Sequence, residues 1–329
     1  MAMKSVNMHS DTLMLARVMS GMEADLLDFP QSMVDLRRME AGEMTTNFFA
    51  IFLVPQETYS YMKMDPIPDD QYIRECAAIL ERNLALHSDI IAGARSVQDI
   101  LDNEAAGKMS AVLTMEDGKA VDGKLENLKA FYDLGVRALS LTWNFENCFG
   151  APNSQDPAIM SKGLTPFGKD AVRYMQELGM LVDVSHLSDG GFYDVAAICQ
   201  KPFVATHSNA RALSPHTRNM TDDMIRLLAD KGGVMGLNFG PEFLNDDITD
   251  THSTVERMVA MVQHEKNVGG IDVVAIGTDF DGIFGELEIG SCDKMDLLVQ
   301  GLGKGGFTGG EIEKIFYRNA LRVMEDAMR

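Results

Sequence analysis

The chain has 329 residues, a formal net charge of −20 and a hydrophobic content of 46%. This hydrophobic content is enough for a large core, and the length is typical of one domain, which we expect to span 1–329. The excess of negative charge argues against nucleic acid and anionic membrane surfaces as partners, because both would be repelled. Small zwitterionic or cationic molecules fit this charge better.

The four cysteines include no short-spaced pair, so they indicate neither a disulfide framework nor a zinc site built from thiolates. They are Cys76, Cys148, Cys199 and Cys292. This usage predicts a reducing, cytoplasmic location. No apolar run approaches the length of a membrane span and no signal region precedes His9, so we expect no membrane partner.

Short runs of apolar and β-branched residues alternate with segments of helical periodicity, which is typical of βα units in a parallel sheet. The runs predict eight strands, at 5–9, 45–54, 110–115, 137–143, 181–186, 203–207, 234–239 and 273–279. The helical segments are 31–41, 69–92, 122–134, 166–178, 189–200, 221–231, 251–267 and 308–328.

Eight strand and helix units predict a closed (β/α)8 barrel of the TIM type. An open, doubly wound sheet is the alternative, but its ligand crevice would usually carry a glycine-rich first turn, and Met8-His9-Ser10-Asp11 is not one. The loop at 144–163 follows the fourth predicted strand. In a barrel it therefore lies above the active-site face.

Chemically competent side chains stand at or just beyond the carboxyl ends of five predicted strands, which is where barrel enzymes assemble their sites. They are His9, Asp11, Glu116, His186, His207 and Asp279. Three imidazoles with carboxylates suit Zn²⁺, and Mn²⁺, Co²⁺ or Fe²⁺ are further possibilities. Five ligands are too many for one tetrahedral zinc with an open position, whereas two metals that share a carboxylate would use them well. His216, in a polar loop, is a candidate for the rim of this site.

Five motifs contain these residues, and together they span nearly the whole chain: Asn7-Met8-His9-Ser10-Asp11-Thr12, Thr114-Met115-Glu116-Asp117-Gly118, Val182-Asp183-Val184-Ser185-His186, Ala205-Thr206-His207-Ser208-Asn209-Ala210 and Ile276-Gly277-Thr278-Asp279-Phe280-Asp281-Gly282. They resemble the motifs of the membrane dipeptidase (renal dipeptidase, peptidase M19) family of binuclear zinc hydrolases. The resemblance implies a metal-dependent hydrolase barrel, in agreement with the strand count.

The resemblance implies that His9 and Asp11 bind one Zn²⁺, that His186 and His207 bind a second, and that Glu116 bridges them. Two such cations would share a water, lower its pKa to give the attacking hydroxide, and polarise the peptide carbonyl. Asp279 matches the acid/base carboxylate of the family, which moves a proton from that water to the leaving amine. Its alternative role is to support a metal-bound histidine.

Arg218 and Asn219 match an Arg-Asn pair of the family, and a guanidinium there suits a free substrate carboxylate. Trp143 is a departure, because the renal enzymes have a histidine at this place that contacts the substrate carbonyl. Either the Trp143 indole or Asn144 could donate to the developing oxyanion. Trp143 could equally be an apolar wall of the pocket.

The sequence therefore predicts a metal-dependent dipeptidase for unblocked dipeptides, including those with a C-terminal D-residue, as the resemblance implies. The alternatives are a related barrel hydrolase that acts on a lactone, a cyclic amide or an amino-acid conjugate, and a degenerate barrel without activity. Six convergent polar residues argue against the last, because burying them unpaired is costly. A homodimer is expected from the family only.

Overall fold

The computed structural model describes residues 3–55, 58–60 and 65–328. Within these residues, nine parallel strands form the main sheet, and two further short strands pair with each other outside it. In chain order the strands are β1 Ser5–Ser10, β2 Met44–Phe52, β3 Ile91–Gly93, β4 Met109–Glu116, β5 Ala138–Ser140, β6 Leu181–Asp183, β7 Val204–Ala205, β8 Val234–Leu237, β9 His252–Ser253, β10 Val274–Ile276 and β11 Glu286–Leu287.

The main sheet closes on itself through eight of its strands. Their order is β2, β1, β10, β8, β7, β6, β5 and β4, and the pairing of β2 with β4 completes the ring. That pairing is the longest, from Thr46 opposite Ser110 to Phe52 opposite Glu116. The predicted (β/α)8 barrel is confirmed, and all eight carboxyl ends therefore lie at one end of it.

Two apolar clusters hold the barrel together. The larger one lies between the strands and the surrounding helices. The smaller one takes at least one side chain from each barrel strand, which shows that these side chains point inward; they are Val6, Met8, Phe48, Val112, Ala138, Leu181, Val204, Val234 and Ala275. Val323 and Met324 of the last helix join this inner cluster. That helix therefore closes the amino end of the barrel.

The helices surround the barrel. In chain order they are α1 Thr12–Ser20, α2 Leu36–Ala41, α3 Asp69–Leu86, α4 Val97–Ala105, α5 Leu125–Leu134, α6 Pro157–Met160, α7 Pro166–Leu178, α8 Asp189–Ile198, α9 Asp222–Asp230, α10 Pro241–Leu244, α11 Val255–Gly269, α12 Asp296–Lys304, α13 Gly309–Glu313 and α14 Asn319–Ala327. None of the helices in the part of the chain that the structure describes has the length and apolar character needed to cross a membrane.

Helix boundaries agree with the sequence where a cap sequence marks them. The side chain of Thr165 accepts from the backbone of Gly168 at the start of α7, and Gly179 ends that helix with a φ of 79°. A threonine cap followed by proline fixes the first turn, and glycine adopts the left-handed conformation of the end without steric cost. The predicted bounds of α7 match the observed ones.

Several predictions of secondary structure were wrong. The predicted helix 69–92 ends at Leu86. Residues Ile91–Gly93 form β3 instead, which pairs with the first residues of β4, whereas β5 pairs with its last residues. Periodicity could not separate this three-residue strand from the helix before it. Helices α1, α4, α6, α10 and α12 were not predicted, and the predicted helices 31–41 and 251–267 begin only at Leu36 and Val255. The predicted helix 308–328 is interrupted by a π-helical turn at Lys314–Arg318.

Candidate active site

The six predicted site residues converge at the carboxyl end of the barrel. His9 lies in β1, Asp11 directly follows it, and Glu116 is the last residue of β4. The other three follow β6, β7 and β10 by two or three residues: His186, His207 and Asp279. All six side chains are buried.

Two of these residues adopt backbone conformations that non-glycine residues rarely take. His186 has a φ of 68° and Asp279 a φ of 62°. Left-handed conformations of this kind store strain and persist only where the surroundings hold them. Here they turn both side chains back over the mouth of the barrel, so the local backbone positions them for the site.

Glu116 lies between two pairs of side chains. Its Oε2 is 3.4 Å from Nε2 of His9, and that nitrogen is 3.7 Å from Oδ2 of Asp11. Its other oxygen, Oε1, is 2.9 Å from Nε2 of His186 and 3.6 Å from Nε2 of His207. One carboxylate thus presents one oxygen to each pair, which is the arrangement of a ligand that bridges two cations.

Hydrogen bonds orient the imidazoles of the second pair. Nδ1 of His186 lies 3.2 Å from Oδ1 of Asn144, to which it donates. Nδ1 of His207 lies 2.8 Å from the hydroxyl of Thr206, and this hydroxyl itself donates to Asp183, so the imidazole is the donor to Thr206. Both rings therefore carry their proton on Nδ1. Their Nε2 lone pairs face each other at 3.1 Å and also face Glu116.

Three acceptors at this separation repel one another unless a cation lies between them. Burial lowers the pKa of His186 and of His207 well below the ordinary value, and nearby cationic groups, with Arg218 among them, add to this effect, so both rings are neutral. Neutral imidazoles with free Nε2 atoms are the form that binds transition metals. The second pair fits a divalent metal.

The first pair fits a cation as well. Nε2 of His9 and Oδ1 of Asp11 are buried without a hydrogen-bond partner among the residues that the structure describes. Burial lowers the pKa of His9, but Glu116 and Asp11 outweigh it and raise the pKa well above the usual value. Burial also raises the pKa of Glu116, and the charge of Asp11 raises it further. A bound cation would relieve both effects, because it supplies the positive charge that these carboxylates lack.

Asp279 contacts the first pair from the side of the open cavity. Its Oδ1 is 3.7 Å from Nε2 of His9, and its Oδ2 accepts from Nδ2 of Asn238 at 2.8 Å. Burial raises the pKa of Asp279 to about 6, and Arg218 is among the groups that oppose this rise. A carboxyl group with a pKa near neutrality can both accept and donate a proton. The side chains of His9, His207 and Asp279 also lie close enough together to hold an ion.

Arg218 is buried beside the second pair and retains an unused donor. Its Nη1 donates to Oγ of Ser208 and its Nη2 to the carbonyl of His207, at 3.0 and 2.9 Å. Its Nε has no partner within the described part of the chain. Because a buried cationic donor is costly to leave unpaired, the free edge of this guanidinium is suited to an anionic ligand.

Asn219, which was predicted to bind substrate together with Arg218, has its amide engaged by the surrounding loops. Its Nδ2 donates to the carbonyls of Ser214 and Phe243, and its Oδ1 accepts from the backbone of Asn209. The side chain is almost fully buried and all its polar atoms are used. Asn219 therefore fixes the loop that carries Arg218 and has no free group for a substrate.

Trp143 and Asn144 follow β5 and line the open cavity. The Trp143 indole packs edge-on against Phe52 with 5.0 Å between ring centroids, and lies 6.2 Å from His186. No hydrogen bond from its N–H is found among the described residues. These contacts favour the apolar-wall interpretation for Trp143. Asn144 orients His186, as described above, and its Nδ2 can face the cavity.

Sequence reasoning missed two supports of the site. Asn238, which follows β8, holds Asp279, and its place just beyond a strand is the signal that identified the other six residues. Asp281 accepts from the hydroxyls of Thr12 and Ser32, each at 2.6 Å, and from the backbone of Met33. Asp281 thereby ties the loop after β10 to the segment after α1, and no local pattern indicates that long-range contact.

The sequence matches the membrane dipeptidase family, peptidase family M19, over residues 1–329. The chain belongs to this family. It is a metallo-dipeptidase. It is 30% identical to an uncharacterized dipeptidase of Schizosaccharomyces pombe, over 97% of this chain and 79% of the other. It is 28% identical to a dipeptidase of Claviceps purpurea, over 89% of this chain and 69% of the other.

Solved structures give the same result. A dipeptidase described as a metallopeptidase of family M19 superimposes with a TM-score of 0.89 at 26% identity, over 100% of this chain and 99% of the other. A metallopeptidase from Rhodobacter sphaeroides superimposes with a TM-score of 0.87 at 26% identity, over 99% of this chain and 100% of the other. That structure contains a phosphinate mimic of the dipeptide L-Ala-D-Ala.

Proposed function

We propose that this metallo-dipeptidase is a binuclear zinc enzyme that hydrolyses unblocked dipeptides, including those with a C-terminal D-residue. The observation that carries the proposal is Glu116, which presents one carboxylate oxygen to His9 and the other to His186 and His207. The dipeptide mimic in the Rhodobacter sphaeroides relative supports the substrate class and its D-residue.

His9 and Asp11 would hold one metal, His186 and His207 the other, and Glu116 both. Bound divalent cations supply Lewis acidity, which polarises a carbonyl group and lowers the pKa of water. Asn144, Thr206 and Asp183 keep the imidazole rings in the tautomer that leaves Nε2 free. This support lowers the entropic cost of assembling the ligands.

Arg218 would bind the free carboxylate of the substrate. Its Nε, which has no partner in the described part of the chain, and the remaining N–H groups of its fork suit a carboxylate. Burial makes such a pair stronger than it would be in water. Ser208 and the carbonyl of His207 hold the guanidinium in place from behind. A requirement for a free C-terminus follows, and it restricts the enzyme to short substrates.

Asp279 would move the proton. Its carboxylate would take a proton from the attacking water and deliver it to the amine leaving group. Asn238 holds one of its oxygens in position. Trp143, Phe52 and Asn144 shield the reacting groups from bulk water on the open side. The developing oxyanion can be stabilised by the amide of Asn144.

Metal analysis of the purified, zinc-loaded protein tests the binuclear site. We expect two metals per chain in the wild-type protein and one metal per chain in each of the variants His186→Ala and Asp11→Ala. His264→Ala removes a histidine that pairs with Asp222 outside the site, so this control should keep both metals. One metal in the wild-type protein would contradict the binuclear proposal.

Substrate analysis tests the reaction. The zinc-loaded protein should hydrolyse L-Ala-D-Ala and L-Ala-L-Ala, and it should lose activity on the C-terminal amide of each. Equal activity on the amides would contradict recognition of a free carboxylate. It would favour a hydrolase that acts on amino-acid conjugates or cyclic amides.

A further inference from the structure

The cavity above the metal ligands has two lobes of opposite character. The apolar lobe, with a volume of about 530 Å³, is walled by Met14, Phe52, Trp143 and Phe284. The polar lobe, about 390 Å³, is walled by Asn153, Ser154, Gln155 and Thr217. The lobes share Asn144, His186, Glu242 and Phe243. Each volume is in the range of small-molecule sites, so each lobe has room for an amino-acid side chain.

The functional groups fix the direction in which a dipeptide lies across these lobes. Arg218 lines the polar lobe, whereas Asp11, Glu116 and Asp279 line the apolar lobe. A substrate with its carboxylate at Arg218 and its scissile carbonyl at the metal ligands therefore has its C-terminal residue in the polar lobe. Its N-terminal residue then lies in the apolar lobe. This direction rests on the proposed function.

Glu242 is a charged residue at the junction of the lobes, and the chemistry proposed above does not use it. It belongs to α10, directly after β8, and its side chain is partly exposed to the cavity. No hydrogen bond or ion pair of its carboxylate is found in residues 3–55, 58–60 and 65–328, although its charge acts on nearby Arg218. Asp281, in contrast, has both oxygens occupied by Ser32, Thr12 and Met33.

The other ionisable groups of the polar lobe do not offset Glu242 once a substrate is bound. Arg218 is then paired with the substrate carboxylate. His216 accepts a hydrogen bond on Nδ1 from the backbone of Arg218, so its ring is neutral. Apart from His186, the remaining walls are uncharged: the amides and hydroxyls of Asn144, Asn153, Ser154, Gln155 and Thr217, and the ring of Phe243. An acidic side chain in this lobe would meet an unpaired carboxylate, and a basic one would find its counter-ion.

We infer that the substrates are dipeptides with an apolar N-terminal residue and a basic C-terminal residue, and that Glu242 selects the C-terminal side chain by its charge. Glu242 is thus a specificity-determining residue. Phe52, Trp143 and Phe284 supply the selection at the N-terminal residue, because a charged side chain would be desolvated against them.

Steady-state kinetics of the zinc-loaded enzyme test this inference with leucyl-lysine, leucyl-glutamine, leucyl-glutamate and lysyl-leucine. The value of kcat/KM should fall in the order lysine, glutamine, glutamate at the C-terminal position. Leucyl-lysine should also be cleaved about tenfold faster than lysyl-leucine, the scale on which apolar pockets discriminate. Glu242→Gln keeps the size of the side chain but removes its charge. It should lower the lysine-to-glutamate ratio, that is kcat/KM for leucyl-lysine divided by kcat/KM for leucyl-glutamate, roughly fivefold to tenfold, as expected for one partly exposed charge.

Two further measurements separate specificity from general effects. Glu126→Gln removes one exposed acid from α5, far from the lobes, and should leave the lysine-to-glutamate ratio unchanged. Calorimetric titration with the product amino acids gives a readout without turnover: lysine should bind wild-type enzyme more tightly than glutamate does, and Glu242→Gln should reduce the difference. Preference for glutamate, or a ratio that Glu242→Gln does not change, would overturn this inference alone. Hydrolysis of no dipeptide would overturn the proposed function and this inference with it.

Discussion

The two ends of the barrel differ in the interactions of their buried side chains. At the carboxyl end, buried histidines and carboxylates face one another, and His186 and Asp279 hold left-handed backbone conformations. Polar atoms of His9, Asp11 and Arg218 also lack hydrogen-bond partners among the residues that the structure describes. At the amino end, side chains such as Val6 and Val112 form one apolar cluster with Val323 and Met324 of α14. The first arrangement stores unfavourable free energy for ligands to relieve, whereas the second provides apolar burial that stabilises the fold.

This difference predicts which property a substitution at each end of the barrel should change. Strain and unpaired charge at the carboxyl end are tolerable because closely packed layers hold that end in place from below. Changes at the carboxyl end should therefore alter metal binding or turnover, and changes at the amino end should alter stability. The following predictions test this division from the largest expected effect to the smallest.

Asp279→Asn should lower kcat by about 10²-fold to 10⁴-fold and leave metal content unchanged, because the amide keeps the shape of the side chain but cannot carry a proton. Kinetics and metal analysis on the same sample measure both. Loss of a metal in parallel with activity would make Asp279 a ligand, a role that its proximity to His9 and His207 would permit. A variant with wild-type kcat would refute the proposed proton transfer.

Arg218→Ala should raise KM for dipeptides by an amount equivalent to about 2–5 kcal/mol, since a desolvated charge pair is lost. Arg218→Lys should recover only part of this, because a point charge does not reproduce the guanidinium fork. Arg173→Lys is the matched control, since Arg173 pairs with Asp170 on the exposed face of α7 and lines neither lobe. If Arg218→Ala keeps the KM of the wild type, the carboxylate binds elsewhere.

Met324→Ala should lower the free energy of unfolding by about 2–5 kcal/mol, because it opens a cavity beneath the barrel. Chemical denaturation measures this loss, with Glu325→Ala as a control at an exposed position on the same helix. Below the unfolding transition, KM and metal content should stay at wild-type values. A changed KM would show that the two ends are coupled, and the division proposed above would fail.

Glu265→Gln should stabilise the protein increasingly as the pH rises above 5. Both carboxylate oxygens of Glu265 are buried in α11 without a partner in the described part of the chain, and burial raises its pKa well above the ordinary value. The folded state then binds more protons than the unfolded state. The free energy of unfolding of the wild type therefore falls by as much as about 1.4 kcal/mol per pH unit until the pH reaches the pKa of Glu265 in the folded state. Denaturation of both proteins from pH 5 to pH 8 measures the difference. A difference that does not grow with pH would mean that Glu265 is ionised in the fold.

Much of the site could be predicted because barrel enzymes place functional residues at or just beyond the carboxyl ends of strands. His9, Asp11, Glu116, His186, His207 and Asp279 all follow that rule, and a local pattern identifies a strand end. Asn238 obeys the same rule and was overlooked because an amide is a less obvious catalytic residue than a histidine. The metal identity, the cytoplasmic location and the homodimer stay predictions.

Asn219 and Glu242 show the limit of such reasoning. Asn219 adjoins Arg218 in the motif, yet its amide is consumed by Ser214, Phe243 and Asn209. Glu242 belongs to no motif, yet it stands where the two lobes meet. Which side chain faces a cavity depends on contacts between segments far apart in the chain, and adjacency in sequence does not reveal it.

The sequence by itself determined the eight barrel strands, most of the helices, the family and the six polar residues that converge at the carboxyl end, because apolar periodicity, cap residues and motifs are local signals. Only the tertiary structure decided that Glu116 lies between two histidine-containing pairs, that His186 and His207 keep their Nε2 atoms free, and that the cavity has an apolar and a polar lobe. These features depend on the closure of the barrel between β2 and β4 and on packing across its mouth. There, segments far apart in the chain lie within a few ångströms of one another, and these distances determine which side chains can act together.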